Sequence, residues 1–158
     1  MTSEERRKKI DMIRALPSAL EAAVKGLNDK QLDTQYRDGG WTVRQVVHHL
    51  ADAHMNAFVR MKLILTEGKP AFKPYDQNAW AALPDTTEMP IGVSLEILRG
   101  LHDRWSKLLD RVADGEWGRI GVHPERGEVT LESQLNVYAG HGEKHVEHIT
   151  NLRRTKGW

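Results

Sequence analysis

Histidine is the residue type in this chain with the most potential for chemistry. The 158-residue sequence holds eight histidines and no cysteine. Three histidines lie between positions 48 and 54 and three between 141 and 148, while His102 and His123 stand apart. Neutral imidazole is the commonest protein ligand for transition metals, whereas the lack of cysteine excludes disulfides, thiolate metal sites and cysteine nucleophiles. The histidine pattern therefore points to metal chemistry with nitrogen ligands.

The second group of histidines shares one face of a predicted helix. At about 100° per residue, His145 and His148 fall within about 40° of His141, and the apolar Leu152 lies on the same stripe. A histidine pair at i and i+4 can hold one divalent ion, because its Cβ atoms lie about 6 Å apart. A single core-facing histidine is more often a hydrogen-bonded core residue, but this pair with a third imidazole beside it favours a metal site. Two ligands leave such a site underfilled, so a third is expected from another helix.

The first group offers three candidates for that third ligand. If the apolar stripe of its helix is centred near Val43 and Met61, His54 lies close to the stripe and His49 lies roughly 120° away. His48 lies further round, where a surface position is expected. Angle alone therefore favours His54.

The motifs that are missing narrow the possible reactions. The segment HGEKH, from His141 to His145, differs from the zincin motif H-E-x-x-H because its glutamate stands one position later. No predicted helix carries Glu-x-x-His, which disfavours a carboxylate-rich di-iron site. The nucleophile elbow, the Walker loop and the dinucleotide-binding fingerprint are also missing.

The charge balance and the apolar runs limit the partners and the location. The chain has 23 basic and 22 acidic residues, a formal net charge of +1, which argues against nucleic acid or an anionic membrane as a partner. No apolar run approaches the roughly 18 to 20 residues of a membrane span, and residues 2–9 are too charged for a signal peptide. We expect a soluble cytoplasmic protein that acts on a small molecule, with no nucleic-acid or membrane partner.

Four periodic apolar segments predict the long helices that position the histidines. Capping boxes formed by Thr2 with Glu5 and by Thr42 with Gln45 mark the starts of the first two. An interruption or kink is expected in the first helix at Pro17. In chain order the segments run from Thr2 to Leu27, from Thr42 to Leu65, from about Val93 to Ala113, and from Leu131 to about Arg153 behind Thr130 as N-cap.

The connections between these helices differ in length. Residues 69–90 contain four prolines and predict a long connection with at most a short helix near 77–83. A helical turn is expected at 29–32, and residues 115–128 read as an irregular loop with room for a small hairpin. No stretch shows sustained period-2 alternation. The sequence predicts an all-α fold, a four-helix bundle with a long crossover connection, as a single domain over residues 1–158.

The segment YRDGGWTVRQVVHHLADAHMN, from Tyr36 to Asn56, resembles the signature of the YfiT-like branch of the DinB superfamily. The similarity covers nearly the whole chain and continues at KPYDQNAW from Lys73, HDRW from His102, HPE from His123 and YAGHGEKH from Tyr138. The resemblance implies a four-helix bundle, a homodimer and metal-dependent hydrolase activity. Related branches include thiol transferases that use bacillithiol and mycothiol-dependent enzymes.

The resemblance also implies a ligand set. The family's metal triad is one histidine of the second long helix with an H-x-x-x-H pair on the last, which correspond to His49, His141 and His145. This assignment overrules the angular preference for His54, and a tilt of the helix or a site near the open end of the bundle would reconcile the two. His148 then lies beside the site as a pocket residue rather than as a ligand.

A site with three histidine ligands has the layout of a catalytic centre, because coordination positions stay open to water. A divalent ion of the zinc or nickel class would lower the pKa of its bound water toward neutrality and create a hydroxide nucleophile. The leading hypothesis is hydrolysis of a small polar substrate. Asp52 and Glu143 are candidates for orienting the ligand imidazoles, with solvated helix positions as the alternative. No residue is identified as the general base.

Two other functions stay open. In the first, a low-molecular-weight thiol binds the metal as a thiolate and attacks an electrophile, which would make the protein a thiol S-transferase. In the second, the protein is a non-enzymatic metal-binding or stress-response module with a protein partner and a closed site, completed by His148 or His54. The family often has other residues at Ala53, Gly140 and Lys144, so these departures concern the substrate pocket and spare the triad.

Overall fold

Four long helices make up most of the structure, as the apolar periodicity predicts. The structure is a computed structural model that describes residues 1–158. In chain order its elements are α1 (Ser3–Val24), α2 (Asp29–Leu32), α3 (Val43–Thr66), α4 (Gln77–Ala81), α5 (Pro84–Thr87), α6 (Gly92–Leu109), β1 (Ile120–His123), β2 (Gly127–Thr130) and α7 (Leu131–Lys156). The all-α fold class is confirmed, and the only sheet is the small β1–β2 hairpin. None of the helices has both the length and the apolar character of a membrane span.

Reciprocal side-chain caps determine where three of the long helices begin. In each cap a side-chain oxygen of the N-cap residue accepts from the amide three residues later, and the side chain there accepts from the N-cap amide. These bonds satisfy donors that a helix start otherwise leaves open. The capping pairs are Thr2 with Glu5, Thr42 with Gln45, and Thr130 with Ser133.

The helix ends depart more from the sequence prediction. α1 runs through Pro17 without a break and ends at Val24. α6 ends at Leu109 rather than near Ala113, because the next amides bond three residues back, as in turns. α7 continues to Lys156 and stops at a glycine with positive φ, a common helix C-terminus.

α3 and α6 run in the same direction, which requires the predicted crossover. His48 meets Ser94 near the start of both helices, and Met61 meets Trp105 near their ends. Residues 67–91 therefore return along the length of the bundle and carry α4 and α5 on the way. α1 and α3 each pack against both α6 and α7. α6 and α7 are consecutive long helices in the chain, but they occupy diagonally opposite corners of the bundle.

The β1–β2 hairpin joins the crossover to one side of the bundle. The Phe72 amide donates to the Val122 carbonyl at 2.9 Å, and the Val122 amide donates to the Pro70 carbonyl at 2.8 Å. The Phe72 ring packs so closely on Gly121 that a Cβ there would overlap it. These contacts place the crossover and the hairpin beside α3 and α7, where they form the walls of a cavity.

The core consists of two apolar clusters with a layer of histidines between them. Along each long helix, the buried apolar residues before the layer belong to one cluster and those after the layer belong to the other. The layer is formed by His54, His102 and His141, of which the first two are fully buried. A buried imidazole costs free energy unless it has hydrogen-bond partners, so the hydrogen bonds within this layer determine the proton positions of its rings.

Candidate metal centre

The three histidines that the resemblance implies as ligands meet between α3 and α7. His141 Nε2 lies 3.3 Å from His49 Nε2 and 3.2 Å from His145 Nε2. One ring nitrogen from each of the three lies within 4.8 Å of the other two. Zinc binds histidine nitrogen at 2.0–2.1 Å, so two nitrogens of a tetrahedral site are about 3.3 Å apart. The donor type and the spacing therefore suit one divalent ion.

The helix packing explains why His54 and His49 both face inward. α3 packs against α6 as well as α7, so its buried face is wide. His54 points between these two helices and contacts both His102 and His141. His49 faces α7, where it meets His141 and His145. The angle measured from the apolar stripe favoured His54, which packs between α6 and α7 and is not a member of the three-histidine cluster.

A chain of buried imidazoles determines which nitrogen of His141 carries a proton. His102 Nδ1 lies 2.5 Å from the Ile13 carbonyl oxygen, which can only accept, so this nitrogen is the donor. His102 Nε2 therefore accepts from His54 Nδ1 at 2.9 Å, and His54 Nε2 accepts from His141 Nδ1 at 3.1 Å. A neutral imidazole has one donor and one acceptor nitrogen. His141 Nε2 is thus left with a lone pair directed at the other two histidines.

Burial keeps the imidazoles of this region neutral. It lowers the pKa of His141 to about 4, and it lowers the pKa of His49 and of His145 to about 3, with neighbouring histidines as the next cause. The pKa of His54 also lies well below its ordinary value, and that of His102 is lowered, in both cases chiefly by burial. Metal binding needs the neutral form, so these rings are already in the state that coordinates an ion.

Two aromatic rings from the segment before α3 cover one side of the cluster. The Trp41 ring centroid lies 4.5 Å from that of His49 and 6.5 Å from that of His145. Tyr36 stacks on His148 at 4.5 Å, and His148 lies 5.6 Å from His145. His148 is therefore a neighbour of the cluster. Trp41 and Tyr36 were not predicted from the sequence as site residues, although both belong to the segment that carries the family resemblance.

The prediction that His48 lies at the surface is wrong. His48 is buried, its Nε2 donates to the Met89 carbonyl at 3.0 Å, and its Nδ1 accepts from Ser94 Oγ at 2.7 Å. These bonds tie α3 to the start of α6 and to the residues before it. His48 thus has a structural role apart from the cluster.

The two carboxylates considered as orienting groups form no hydrogen bond with the cluster. Glu143 is exposed, and neither it nor Asp52 forms a hydrogen bond with His49, His141 or His145. His141 is oriented by another histidine instead, and His145 Nδ1 is buried without a partner in the protein. The histidine chain takes the place that carboxylates hold in many metal sites.

A cavity of about 570 Å³ opens beside the cluster, within the usual size range of small-molecule sites. His49 and His141 reach it from one end, and Tyr138 lies next to His141 on the same helix. Tyr75 from the crossover and His123 from the hairpin also line it. The cavity gives the cluster an open side toward which a ligand can approach.

The sequence profile of the DinB superfamily matches residues 12–149. The chain belongs to the DinB superfamily. A Bacillus subtilis relative, named "Putative metal-dependent hydrolase YfiT", is 47% identical over an alignment that spans 100% of this chain and 89% of the relative. A relative from Oceanobacillus iheyensis, also named as a "Putative metal-dependent hydrolase", is 48% identical over 94% of this chain and 86% of its own length.

The fold agrees with that of a solved structure. YfiT from Bacillus subtilis, described as "a probable metal-dependent hydrolase with an unusual four-helix bundle topology", superimposes with a TM-score of 0.97. The sequences are 46% identical, and the match covers 100% of this chain and 91% of that one. The bundle architecture and the family resemblance predicted from sequence are therefore both confirmed.

Proposed function

We propose that this protein is a metal-dependent hydrolase whose divalent ion is held by His49, His141 and His145. The observation that carries the proposal is the approach of His141 Nε2 to the Nε2 atoms of His49 and His145, at 3.3 and 3.2 Å, beside an open cavity. The names given to the relatives support the same activity. The substrate is a small molecule that enters the cavity.

The protein's own groups prepare the centre for this reaction. When bound, the ion supplies a Lewis acid that makes a water molecule acidic enough to act as a nucleophile near neutral pH. His54 and His102 hold His141 with its Nε2 unprotonated, and burial keeps all three ligand rings neutral. Since only three protein side chains converge, water and substrate have room to bind as well.

The all-nitrogen donor set favours zinc or nickel over harder ions. Magnesium and calcium prefer oxygen ligands, and no carboxylate belongs to the cluster. We therefore propose zinc or nickel as the resident ion.

Elemental analysis of the purified protein tests the proposed ligands directly. We expect about one zinc or nickel ion per chain in the wild type and strong depletion in His49→Ala and in His145→Ala. His48→Ala is the matched control, because His48 is a buried neighbour of His49 that bonds elsewhere. Full occupancy in both ligand variants would show that the ion binds at another place.

A thiol S-transferase is the second candidate, and the composition supports it. The chain has no cysteine, so no thiolate of the protein competes for the ion with a thiol from solution. The metal-loaded protein should then consume an electrophile such as monochlorobimane only when a low-molecular-weight thiol such as bacillithiol is added. Ester or amide cleavage in buffer without thiol would instead identify the hydrolase.

We also propose that the protein forms a homodimer. Met55 and Val59 on α3, and Val93 and Ile97 on α6, are apolar pairs one turn apart that are 36–54% exposed. Such exposed apolar pairs on two adjacent helices are suited to burial against a second copy. Sedimentation equilibrium of the purified protein tests this assembly, and a monomer at all concentrations would contradict it.

A further inference from the structure

Arg60 is a buried cation with no carboxylate partner. The residue is 7% exposed, and its one hydrogen bond runs from Nη2 to the Lys73 carbonyl at 2.9 Å. A guanidinium group has five N–H donors, so most of its hydrogen-bonding capacity is unused by the protein. Buried charges are normally paired, because removing an ion from water is costly. Arg60 therefore needs an explanation that its protein contacts do not provide.

The second buried arginine of the same helix shows what a structural role looks like. Arg44 is 5% exposed, and its Nε and Nη2 donate to Asp33 and Asp29 at 2.6 and 2.9 Å. Its Nη1 donates to the Met89 carbonyl at 3.0 Å. All three guanidinium nitrogens of Arg44 are used, and its charge is matched by two carboxylates. Arg60 has neither feature.

The Arg60 side chain lies at the wall of the cavity that adjoins the candidate metal centre. The Phe72 and Tyr75 rings lie 5.5 and 6.0 Å from its guanidinium carbon and hold the group in place. Arg60 follows His49 by three helical turns, about 16 Å along α3, and so both side chains face the same cavity. Ala53 lies between them on this face, and its small side chain leaves the path open.

Neither acidic residue of the cavity forms an ion pair with Arg60. Asp76 Oδ1 accepts from the amides of Asn78 and Ala79 at 2.9 and 3.0 Å, so this carboxylate caps α4. Glu125 forms no ion pair with Arg60 and is exposed to solvent. Arg126 also lines the cavity, so the lining holds two basic and two acidic side chains, and Arg60 is the buried one of the two arginines. An oxyanion is the group that complements a fixed, buried and unpaired guanidinium.

We infer that Arg60 binds the anionic end of the substrate. The ligand class is an elongated small molecule with a carboxylate or phosphate group at the end remote from the group that reaches His49 and His141. The placement of the reacting end rests on the proposed function, whereas the anion site rests on Arg60 and the cavity alone. Arg60 thus selects the substrate, and the histidine cluster acts on it.

Hydroxamates that bind zinc at one end can measure this site. The probes are acetohydroxamate, the monohydroxamates of adipic and suberic acid, and the same chains with the carboxylate converted to an amide. For the chain that spans the cavity, the carboxylate should bind the zinc-loaded protein about 10- to 100-fold tighter than the amide. A phosphonate of equal length shows which oxyanion the site prefers.

Substitution of Arg60 separates charge recognition from metal binding. Arg60→Met should abolish the advantage of the carboxylate and leave the affinity for acetohydroxamate unchanged, and Arg60→Lys should restore part of the advantage. The inference is overturned if the wild type shows no such advantage for any chain length, or if the advantage persists in Arg60→Met.

Thermal unfolding separates a binding role from a structural role. Because Arg60 has no carboxylate partner, Arg60→Met should leave the melting temperature unchanged or raise it, whereas Arg44→Met should lower it. If zinc does not bind at all, the proposed function fails, but the anion site is still tested. In that case suberate is titrated into the metal-free protein, and the Arg60 Nε–H resonance should shift in the NMR spectrum; no shift would overturn the inference.

Discussion

His54 Nε2 lies 3.1 Å from His141 Nδ1, and this contact links the candidate metal centre to the middle of the bundle. Through His102 the chain of hydrogen bonds ends at the Ile13 carbonyl on α1. α1 contributes no residue to the histidine cluster, yet its backbone determines the proton position on His141, a proposed ligand on α7. The bundle therefore orients His141 through neutral imidazoles, where many metal sites use a carboxylate.

Removal of this support should weaken metal binding. His54→Leu deletes the acceptor for His141 Nδ1–H, so the ring can rotate and can place its proton on either nitrogen. We expect a loss of about 10- to 100-fold in zinc affinity, measured by competition with a chromogenic chelator. The ¹⁵N NMR signals of His141 should also change from a single tautomer to a mixture in the metal-free variant.

The matched control for this prediction is His48→Leu. His48 is a buried histidine of the same helix with hydrogen bonds to Met89 and Ser94. Its loss should lower thermal stability and leave zinc affinity near the wild-type value. Equal zinc affinity in His54→Leu and the wild type would refute the proposed orienting role.

The starts of α1, α3 and α7 could be predicted from the sequence because local bonds determine them. Thr42 and Gln45 bond each other's backbone amides, so a few adjacent residues suffice to locate the start of α3. The end of α6 could not be placed in this way. The apolar pattern continues to Val112, but the backbone leaves the helix after Leu109 as the chain turns toward the hairpin. That turn depends on tertiary packing.

The candidate site was predictable to different degrees. The spacing of His141 and His145 places both on one face of α7 without knowledge of any other helix. The choice of His49 came from the family resemblance, since the angle on α3 favoured His54. Arg60 could not be recognised, because a sequence does not show whether an arginine is buried or paired.

The metal-free protein should lose stability as the pH falls below about 6.5. Burial lowers the pKa of His49 and His145 to about 3 and that of His141 to about 4 in the folded state. The unfolded chain therefore binds protons between about pH 6.5 and pH 4 that the folded chain does not bind. The stability that each neutral histidine contributes is complete at pH values above the pKa of the unfolded chain. It falls as the pH is lowered, by up to about 1.4 kcal/mol per pH unit for each histidine.

Urea denaturation of the chelator-treated protein at about pH 7 and about pH 5 measures this effect. Carboxylates also titrate toward the lower pH, so the variant His145→Gln provides the comparison. Its free energy of unfolding should depend less steeply on pH, by about 1 kcal/mol per unit. Equal slopes in the two proteins would mean that the His145 pKa is not lowered by folding.

Two glycines on either side of His141 should respond differently to alanine. A Cβ at Gly140 meets no atom within 4 Å, so Gly140→Ala should raise the free energy of unfolding by up to about 1 kcal/mol through helix propensity. A Cβ at Gly142 would lie 2.5 Å from Leu16 Cδ2 in the core, so Gly142→Ala should be less stable than Gly140→Ala by about 1–3 kcal/mol. Denaturant titration of both variants gives the order, and the reverse order would contradict the close contact between α7 and α1.

Gln134 is a polar residue within the core. Its side chain is buried on α7, and neither amide atom has a hydrogen-bond partner in the protein. Gln134→Met keeps the shape and removes the polar group, so we expect a gain of about 1 kcal/mol in the free energy of unfolding, measured with urea. Gln45→Met is the contrasting variant, because the Gln45 amide bonds both the Thr42 amide and the Ala81 carbonyl. It should lose about 1 kcal/mol, and a Gln134→Met protein less stable than the wild type would show that the buried amide is satisfied.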